Sequence, residues 1–432
     1  MDNKHIEFLF HGESTEVLKS LEDNSIDSVV CDPPYGLSKE PDISKVISEW
    51  VNGDDSFVPD GKGFMSKEWD GFVPPPSLWK EVYRVLKPGG HALVFAGTRT
   101  QDLMTISLRL AGFEVRDVIE WLYFSGFPKS HDVSKAFDRR AGAEREVVGY
   151  SERPSGLHRG SIADFSPNNP DNFAPPITTP ATDLARKWDG WGTSLKPSHE
   201  PIIVVRKPLI DADTGRKLTV ADCVEKYGTG AINIDATRIG ESGARNNGSK
   251  PREDGYAKND IYGKYRPMER VDYGKGRFPA NCITLDYDEF YSKYFNVASA
   301  QEAQPNVTPA ELSKKASKKD RNSDWKGEEI ELGEKVTTDG RKKPIDNAYN
   351  RGMTTRKNSH PTVKPTDLMA WLVRLVTPVG GTVLDPFAGS GSTLVAAKRE
   401  GYGFIGVELT EEYIPIIEAR TGIEADEEEA KE

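Results

Sequence analysis

A doubly wound α/β domain built on a mostly parallel sheet is the fold this sequence predicts, and three observations carry it. Short apolar strands alternate with amphipathic helices over residues 1–124. The same alternation returns over residues 360–421. Between them lies a long zone rich in Gly, Pro, Asn and Ser, as expected of an insertion rather than of a second copy of the pattern. Strands that alternate with helices pack as one parallel sheet with helices on its faces. The simplest arrangement is therefore one sheet assembled from both ends of the chain.

The elements follow in order. Residues 25–31 (SIDSVVC) read as a short buried strand that ends in Asp32-Pro33-Pro34-Tyr35. Residues 76–86 predict a helix stopped by the breaker Lys87-Pro88-Gly89-Gly90, with the next strand over residues 91–96 (HALVFA). Residues 100–111 form an amphipathic helix closed by Gly112, and 114–124 another strand. Within the middle zone, residues 199–206 (HEPIIVVR) read as a strand and a further piece of the core, and 227–235 as a second ordered island. Residues 313–351 are highly charged and weakly periodic. The closing zone gives a helix at 366–377, a strand at 381–385, a Gly-rich turn at 386–392, a helix at 393–399 stopped by Gly401, and a strand at 402–408. These boundaries divide the chain into a first core half (1–126), an insertion (127–198), a core strand (199–208), a second inserted region (209–358), a second core half (359–421) and an acidic tail (422–432) expected to be solvated and frayed.

Composition sets limits. Of 432 residues, 36% are hydrophobic and 29% charged, a soluble globular balance in a chain long enough for more than one domain. No apolar run approaches the roughly 20 residues that span a bilayer, so no membrane is expected as partner. Residues 1–10 carry charge and no cleavage-like signal, so nothing suggests export, and the sparse cysteines point to a reducing cytoplasm. Cys31, Cys223 and Cys282 stand far apart and imply neither a disulfide framework nor a zinc knuckle. The seven histidines show no ligand spacing, so no metal is expected. The net charge of −11 argues against a nucleic-acid partner only superficially. Residues 411–432 hold nine acidic and two basic side chains, whereas 241–365 hold 24 Lys plus Arg against 19 Asp plus Glu. A local basic surface, not the total, is what phosphates need.

Two motifs carry chemistry. Asp385-Pro386-Phe387-Ala388-Gly389-Ser390-Gly391 lies between a strand and a helix, where glycines admit a ligand to the backbone and helix amides point at it. Glu408 follows 23 residues after Asp385 at the end of the next strand, where a carboxylate can accept both hydroxyls of a ribose. A Gly-x-Gly turn by itself is also a common tight turn; strand, turn, helix, strand and terminal Glu together are a considerably stronger sign of a nucleoside site. The lysine of a phosphate loop is absent. In Asp32-Pro33-Pro34-Tyr35 two prolines fix the backbone and remove its donors, so the segment presents only acceptors, suited to gripping an –NH2 group. Tyr35 adds a flat face for a base. The plain alternative is a strand-end turn capped by Asp32.

Together with His360-Pro361-Thr362-Val363-Lys364-Pro365, these segments resemble the amino-methyltransferases of DNA in their beta order, where the catalytic tetrapeptide precedes the cofactor motif. The resemblance covers about residues 10–124 and 360–408. It implies a Rossmann-like, S-adenosylmethionine-dependent methyltransferase in permuted order with an inserted target-recognition region. It implies duplex DNA as partner, methylation of adenine N6 as reaction, and the setting of a restriction-modification system, with a second copy of the chain and a cognate restriction enzyme as further partners. By the resemblance, Asp32 and the Pro33 carbonyl accept from the target amino group, Pro34 holds the segment rigid, and Tyr35 stacks on the extruded base. Asp385, Pro386, Phe387, Ala388, Gly389, Ser390 and Gly391 line the methionine side of the cofactor, with Ser392 and Thr393 at the helix start. His360, Lys364, Pro365 and Thr366 pack near the methionine end, and Glu408 holds the ribose. The family's Gly-Asp pair, whose Asp meets the cofactor adenine, reads here as Gly12-Glu13, which assigns that contact to Glu13 with a longer reach.

The chemistry needs no metal and no covalent enzyme intermediate. An aromatic amine is a poor nucleophile, and acceptors at Asp32 and the adjoining carbonyl favour its pyramidal form. Asp in the first place of the tetrapeptide favours adenine N6 over cytosine N4, where Ser is commoner. Three other readings are cytosine-N4 transfer, protein glutamine methylation (which resembles Asn-Pro-Pro-Tyr and the opposite motif order) and a DNA-binding relic without cofactor. Intact Asp32, Tyr35, Gly389 and Glu408 argue against the relic. Residues 126–130 read as a loop that either touches DNA or is purely structural. Segments 227–235 and 276–281 fall in the recognition zone, and Lys314, Lys315, Lys318, Lys319 and Arg321 form a basic cluster, either a solvated face or a phosphate contact.

Overall fold

The computed structural model describes residues 6–36, 41–60, 71–123, 130–150, 176–238, 257–259, 263–265, 278–284, 296–297, 330–331, 355–356, 358, 360 and 362–427. The chain divides into two compact units, one of residues 1–124, 199–330 and 356–432, the other of 125–198 and 331–355.

The first unit is organised by a ten-stranded sheet. Its elements are β1 (Glu7–His11), α1 (Ser14–Lys19), β2 (Ile26–Cys31), α2 (Ile43–Asn52), α3 (Pro76–Val85), β3 (Leu86–Phe95), α4 (Gln101–Leu110), β4 (Glu114–Leu122), β5 (His199–Arg206), α5 (Val220–Tyr227), β6 (Cys282–Thr284), β7 (Asn296–Val297), α6 (Thr366–Val376), β8 (Thr382–Asp385), α7 (Ser392–Glu400), β9 (Gly403–Glu408), α8 (Ile414–Thr421) and β10 (Asp426–Glu427). The strands lie in the order β7-β6-β4-β5-β3-β2-β8-β9-β1-β10. All pairings are parallel except those of β5, which runs antiparallel to both β3 and β4. The central contact β2–β8 joins the two ends of the sequence, Val383 opposite Ser28 and Leu384 opposite Val29.

Side-chain alternation along the strands feeds two cores. Val30, Leu93, Phe95, Ile202 and Val204 face α6 and α7 on one side, where Leu368, Leu372, Ala396 and Ala397 are buried. Val29, Cys31, Ala92, Val94, Ile203 and Val205 face the other, with Trp50 of α2, Trp79 and Val82 of α3, and Met104 and Leu108 of α4. Helices on both faces make the sheet doubly wound, as the periodicity predicts.

Two expectations need correction. The breaker at Lys87-Pro88-Gly89-Gly90 does not separate a helix from a strand at residue 91, because β3 already begins at Leu86. Its register jumps from Ile26 opposite Leu86 to Ser28 opposite His91, so the Pro-Gly-Gly run is an excursion inside the strand. The far end of β5 covers it: Gly89 N donates to Lys207 O at 3.1 Å and Lys207 N to Gly90 O at 2.9 Å. Gly89 sits at φ +77°, and a Cβ there would come within 2.6 Å of Cys223 Sγ, so glycine is required by both space and backbone. The acidic end is not wholly frayed either. Asp426 and Glu427 form β10, parallel to Phe10 and His11, because β1 would otherwise offer an open edge.

Residues 209–237, expected at the head of the recognition region, pack on this core. Thr229 Oγ1 donates to Pro88 O at 2.6 Å, and Asn233 N to Leu375 O at 2.8 Å. The second unit contains a helix (Val133–Ala141), an antiparallel pair (Val147–Tyr150 with Pro176–Thr178) and a short helix (Asp183–Lys187). Buried Asp138 ties these together by accepting from Ala181 N, Thr182 N, Thr182 Oγ1 and Arg145 Nη1.

Candidate active site

The carboxyl ends of parallel strands point to one rim of the sheet, the place where ligands bind in this architecture. At that rim β2 delivers Asp32 to Tyr35, β8 delivers Asp385 and the Gly-rich turn, β9 delivers Glu408, and β1 delivers Gly12 and Glu13. Because β5 runs the other way, its start also lies there, with Glu200 opposite Trp121 near the end of β4.

The Gly-rich turn is held from three directions. Asp385 Oδ1 accepts from Phe387 N at 3.0 Å, and Ala388 N donates to Val407 O at 2.9 Å. Glu408 Oε2 accepts from Gly389 N at 2.7 Å and Oε1 from Thr410 N at 2.8 Å, so the ribose candidate also ties the turn to β9. Ser14 Oγ donates to Pro386 O at 2.5 Å. Beneath the turn, buried Arg420 donates from Nη1 to Ser390 O at 2.6 Å and to the hydroxyls of Ser390 and Ser392, each at 3.2 Å. Its Nη2 reaches Thr366 Oγ1 at 3.4 Å, just inside α6, which Pro365 caps. Gly389 and Gly391 take φ of +57° and +77°. A Cβ on Gly389 would stand 3.1 Å from His360 Nε2. His360 Nδ1 accepts from Thr362 N at 3.3 Å, and its ring meets Tyr413 edge-on at 4.5 Å. Phe387 packs against Trp79, with ring centroids 6.1 Å apart.

The rim around Asp32 and Tyr35 is highly charged. Lys364 Nζ donates to Asp32 Oδ2 at 2.5 Å and to Tyr35 OH at 3.1 Å, and lies 3.4 Å from Glu200 Oε2. Its ammonium stands over the rings of Phe95 at 4.8 Å and Tyr35 at 5.2 Å. Lys364, expected at the methionine end, thus has its charge on Asp32 and Tyr35, the two residues expected to meet the target. Tyr35 OH donates to Glu200 Oε2 at 3.1 Å, and Thr100 Oγ1 to Tyr35 O at 2.6 Å. Asp32 Oδ1 is buried and accepts no hydrogen bond among the described residues.

Burial dominates the electrostatics. It pushes the carboxyl of Asp32 up, against the pull of Lys364 and with the help of Glu200. It raises Asp385 to about 7, although Thr393 and Phe387 N bond the ionised form, and Asp32 and Glu408 add repulsion. Glu408 is raised as well, chiefly by burial. Three neighbouring carboxyls held high on adjacent strand ends make a site suited to cationic groups.

Nearly all of the expected site residues meet here: Asp32, Pro33, Pro34 and Tyr35 on the target side, and His360, Thr366, Ser392, Thr393, Glu408 and the Asp385–Gly391 turn on the other. Glu13, at the same rim, has its carboxylate engaged with its own helix. It is exposed and caps α1, accepting from Glu16 N and Thr15 Oγ1 at 3.0 Å each. Sequence reasoning missed Glu200, Tyr123, Thr100 and Arg420. The one signal for Glu200 was an acidic residue opening an apolar run. Residues 126–129, 276–277 and the basic cluster from Lys314 to Arg321 lie outside the described residues. Asn281, at the end of segment 276–281, bonds Asp117 Oδ1 at 3.1 Å beside β4. Among the described residues no group of three or more His, Cys, Asp or Glu is placed to hold a metal ion, and no helix is long and apolar enough to cross a membrane.

Comparison with known proteins gives concordant matches. A family model described as DNA methylase matches residues 26–419. Over 438 residues the chain is 23% identical to the Type II methyltransferase M.HindIII of Haemophilus influenzae, covering 97% of this chain and 96% of that one. A 69-residue stretch is 46% identical to the Type II methyltransferase M2.DpnII of Streptococcus pneumoniae, covering 16% of this chain and 25% of the relative. Among solved structures, the cytosine-N4-specific PvuII DNA methyltransferase aligns with a TM-score of 0.41 at 14% identity, over 95% of this chain and 85% of that one.

Proposed function

Since the chain belongs to the N6/N4 DNA methylase family, whose model spans residues 26–419, we propose that it transfers a methyl group from S-adenosylmethionine to the N6 amino nitrogen of an adenine extruded from duplex DNA. The observation that carries this reading is Asp32 Oδ1, a buried acceptor without a hydrogen-bond partner among the described residues, three residues before Tyr35 at the strand end next to the Gly-rich turn.

The residues present fit the cofactor. Positive φ at Gly389 and Gly391 opens the backbone of the turn, and a Cβ at Gly389 would crowd His360. Asp385 and Glu408 carry raised carboxyls that a ligand bearing sulfonium and ammonium groups would draw back to the ionised form. When bound, S-adenosylmethionine supplies a sulfonium methyl that is already activated. The chain's own residues do the rest. Asp32 Oδ1 and the Pro33 carbonyl accept the two amino hydrogens, which draws the nitrogen lone pair out of the ring. Pro34 keeps the segment stiff, and Tyr35 offsets part of the cost of unstacking by presenting its face to the base. Asp32 then holds the proton that the methylated amine sheds.

Asp rather than Ser at position 32 supports adenine over cytosine. Of the inserted residues 209–358, those beyond the core-packed stretch 209–237 are proposed to read the DNA sequence; exchanging residues 238–358 with a relative's should change the methylated site. The same reading proposes a cytoplasmic protein whose partners are a second copy of the chain and a restriction endonuclease of matching specificity. Sedimentation of the purified protein, and cleavage of DNA it has methylated, check the two partners. The central experiment is transfer of tritiated methyl to duplex DNA, followed by mass spectrometry of the digested product. N6-methyladenine is expected. N4-methylcytosine would overturn the choice of base, and absence of transfer the function.

A further inference from the structure

Glu200 stands where no motif of the sequence placed a functional residue. It is the second residue of the antiparallel strand β5, which brings it to the rim where the parallel strands end. Tyr35 OH donates to its Oε2 at 3.1 Å, the Tyr123 hydroxyl bonds it as well, and Lys364 Nζ lies 3.4 Å away. Glu200 and Lys364 are each only 8% exposed. Lys364 therefore sits between two carboxylates, at 2.5 Å from half-buried Asp32 and 3.4 Å from buried Glu200.

This arrangement meets a requirement of the reaction. As the methyl carbon bonds to the amino nitrogen and leaves sulfur, positive charge grows on the nitrogen. A carboxylate alone at Asp32 would stabilise it. Asp32 does not stand alone, because the Lys364 ammonium touches it and cancels its field at short range. The lysine has a use of its own: it occupies Oδ2, leaves Oδ1 for the target, and pulls the carboxyl back toward its ionised form against desolvation. Its cost is a cation beside a developing cation.

We propose that Glu200 is a positioning residue that offsets the charge of Lys364, so that the target side of the site stays net negative while the methyl group moves. Asp385 and Glu408 do not replace it, since they face the Gly-rich turn and match cofactor charge. The inference rests on the amino-methyltransfer reading above and names the residue that sets its electrostatics.

The test is single-turnover methyl transfer at saturating S-adenosylmethionine and duplex DNA, at alkaline pH so that Asp32 is ionised in every variant. Glu200→Gln should slow the step by about 10- to 100-fold, with the cofactor dissociation constant unchanged by calorimetry. Glu200→Asp, which restores the charge, should recover most of that loss. The double variant Lys364→Met, Glu200→Gln should be faster than Glu200→Gln alone, because removing the cation returns the negative excess to Asp32. A packing role predicts the opposite, two damaged positions being worse than one. Full rate in Glu200→Gln, or a double variant no faster than that single one, overturns the proposal. Asp32→Ala in parallel separates the two levels. If it too transfers at full rate, the amino-methyltransfer reading fails; if it is inactive while Glu200→Gln is normal, only the role of Glu200 fails.

Discussion

The guanidinium of Arg420 donates to the carbonyl oxygen of Ser390 at 2.6 Å, from beneath the Gly-rich turn. It reaches there because α8 folds back under the turn, and the same group extends to Ser392 and Thr366. One buried cation thereby joins the turn, the start of α7 and the start of α6. Arg420→Met should remove these bonds at once and destabilise the protein by about 3 kcal/mol, the range for breaking a buried charged network. Cofactor affinity should fall with it, since the turn loses its floor. Urea unfolding and calorimetric titration with S-adenosylmethionine check both effects. An unchanged midpoint with unchanged affinity would falsify the structural role.

Gly389 makes a narrower prediction. Its φ of +57° disfavours any L side chain, by about 1–2 kcal/mol, and a methyl group would meet His360 Nε2 at 3.1 Å. Gly389→Ala should therefore weaken cofactor binding more than it weakens the fold, because the turn can shift outward into the space the ligand needs. If relief of the clash restores binding, Gly389→Ala combined with His360→Ala should bind better than the single glycine variant. Failure of that recovery would assign the whole loss to backbone strain.

Asp385 couples the site to pH. Burial holds its carboxyl at about 7 in the folded protein, well above the usual value near 3.9 of an unfolded chain. The folded state thus keeps a proton that the unfolded state has lost, and this contribution to stability is complete below about pH 4 and disappears as pH rises through 7. Asp385→Asn, which keeps the oxygen that accepts from Phe387 N, should raise the stability of the cofactor-free protein at neutral pH and flatten this dependence. Cofactor binding runs the other way, because a cationic ligand needs the carboxylate. Affinity of the native protein should decline by up to about tenfold per pH unit below 7, and the asparagine variant should lose both the affinity and its slope.

What could be read from the sequence was local. Asp32 to Tyr35, the turn from Asp385 to Gly391 and the terminal Glu408 each lie within one strand-turn unit, so spacing alone places them at strand ends. Glu200 was illegible because its location depends on the direction of β5, which no neighbouring residue dictates; in a parallel strand the same residue would sit at the opposite rim. Lys364 was legible as part of a motif but not as the partner of Asp32, a contact across 332 positions of sequence. The run at Lys87 to Gly90 reads as a breaker because glycine and proline lack the means to continue a helix or an isolated strand. The backbone of Lys207 supplies the missing pairing from more than a hundred residues away. Arg420 sits in a short helix whose polarity gives no hint that its head points into the core.

Tyr35 separates two contributions that the tetrapeptide combines. In the proposed reaction its ring offers a face to the extruded base, while its hydroxyl donates to Glu200 at 3.1 Å. Tyr35→Phe keeps the face and removes the hydroxyl, so base extrusion should be preserved while the Glu200–Lys364 cluster loses one fixed donor. Tyr35→Ala removes both. Stacking of a base on an aromatic side chain contributes about 1–3 kcal/mol, so the alanine variant should bind duplex DNA about tenfold or more worse in the extruded state. That deficit should shrink on duplexes where the target base is mispaired, because opening the pair then costs less. The phenylalanine variant should show the same modest loss on paired and mispaired substrates, since its defect lies in the charge cluster and not in extrusion. Fluorescence of a 2-aminopurine at the target position reports extrusion directly, and rapid-quench transfer reports the chemical step. If mispairing rescues the phenylalanine variant as strongly as the alanine one, the hydroxyl acts through extrusion, and the ring and the hydroxyl do not have separate roles.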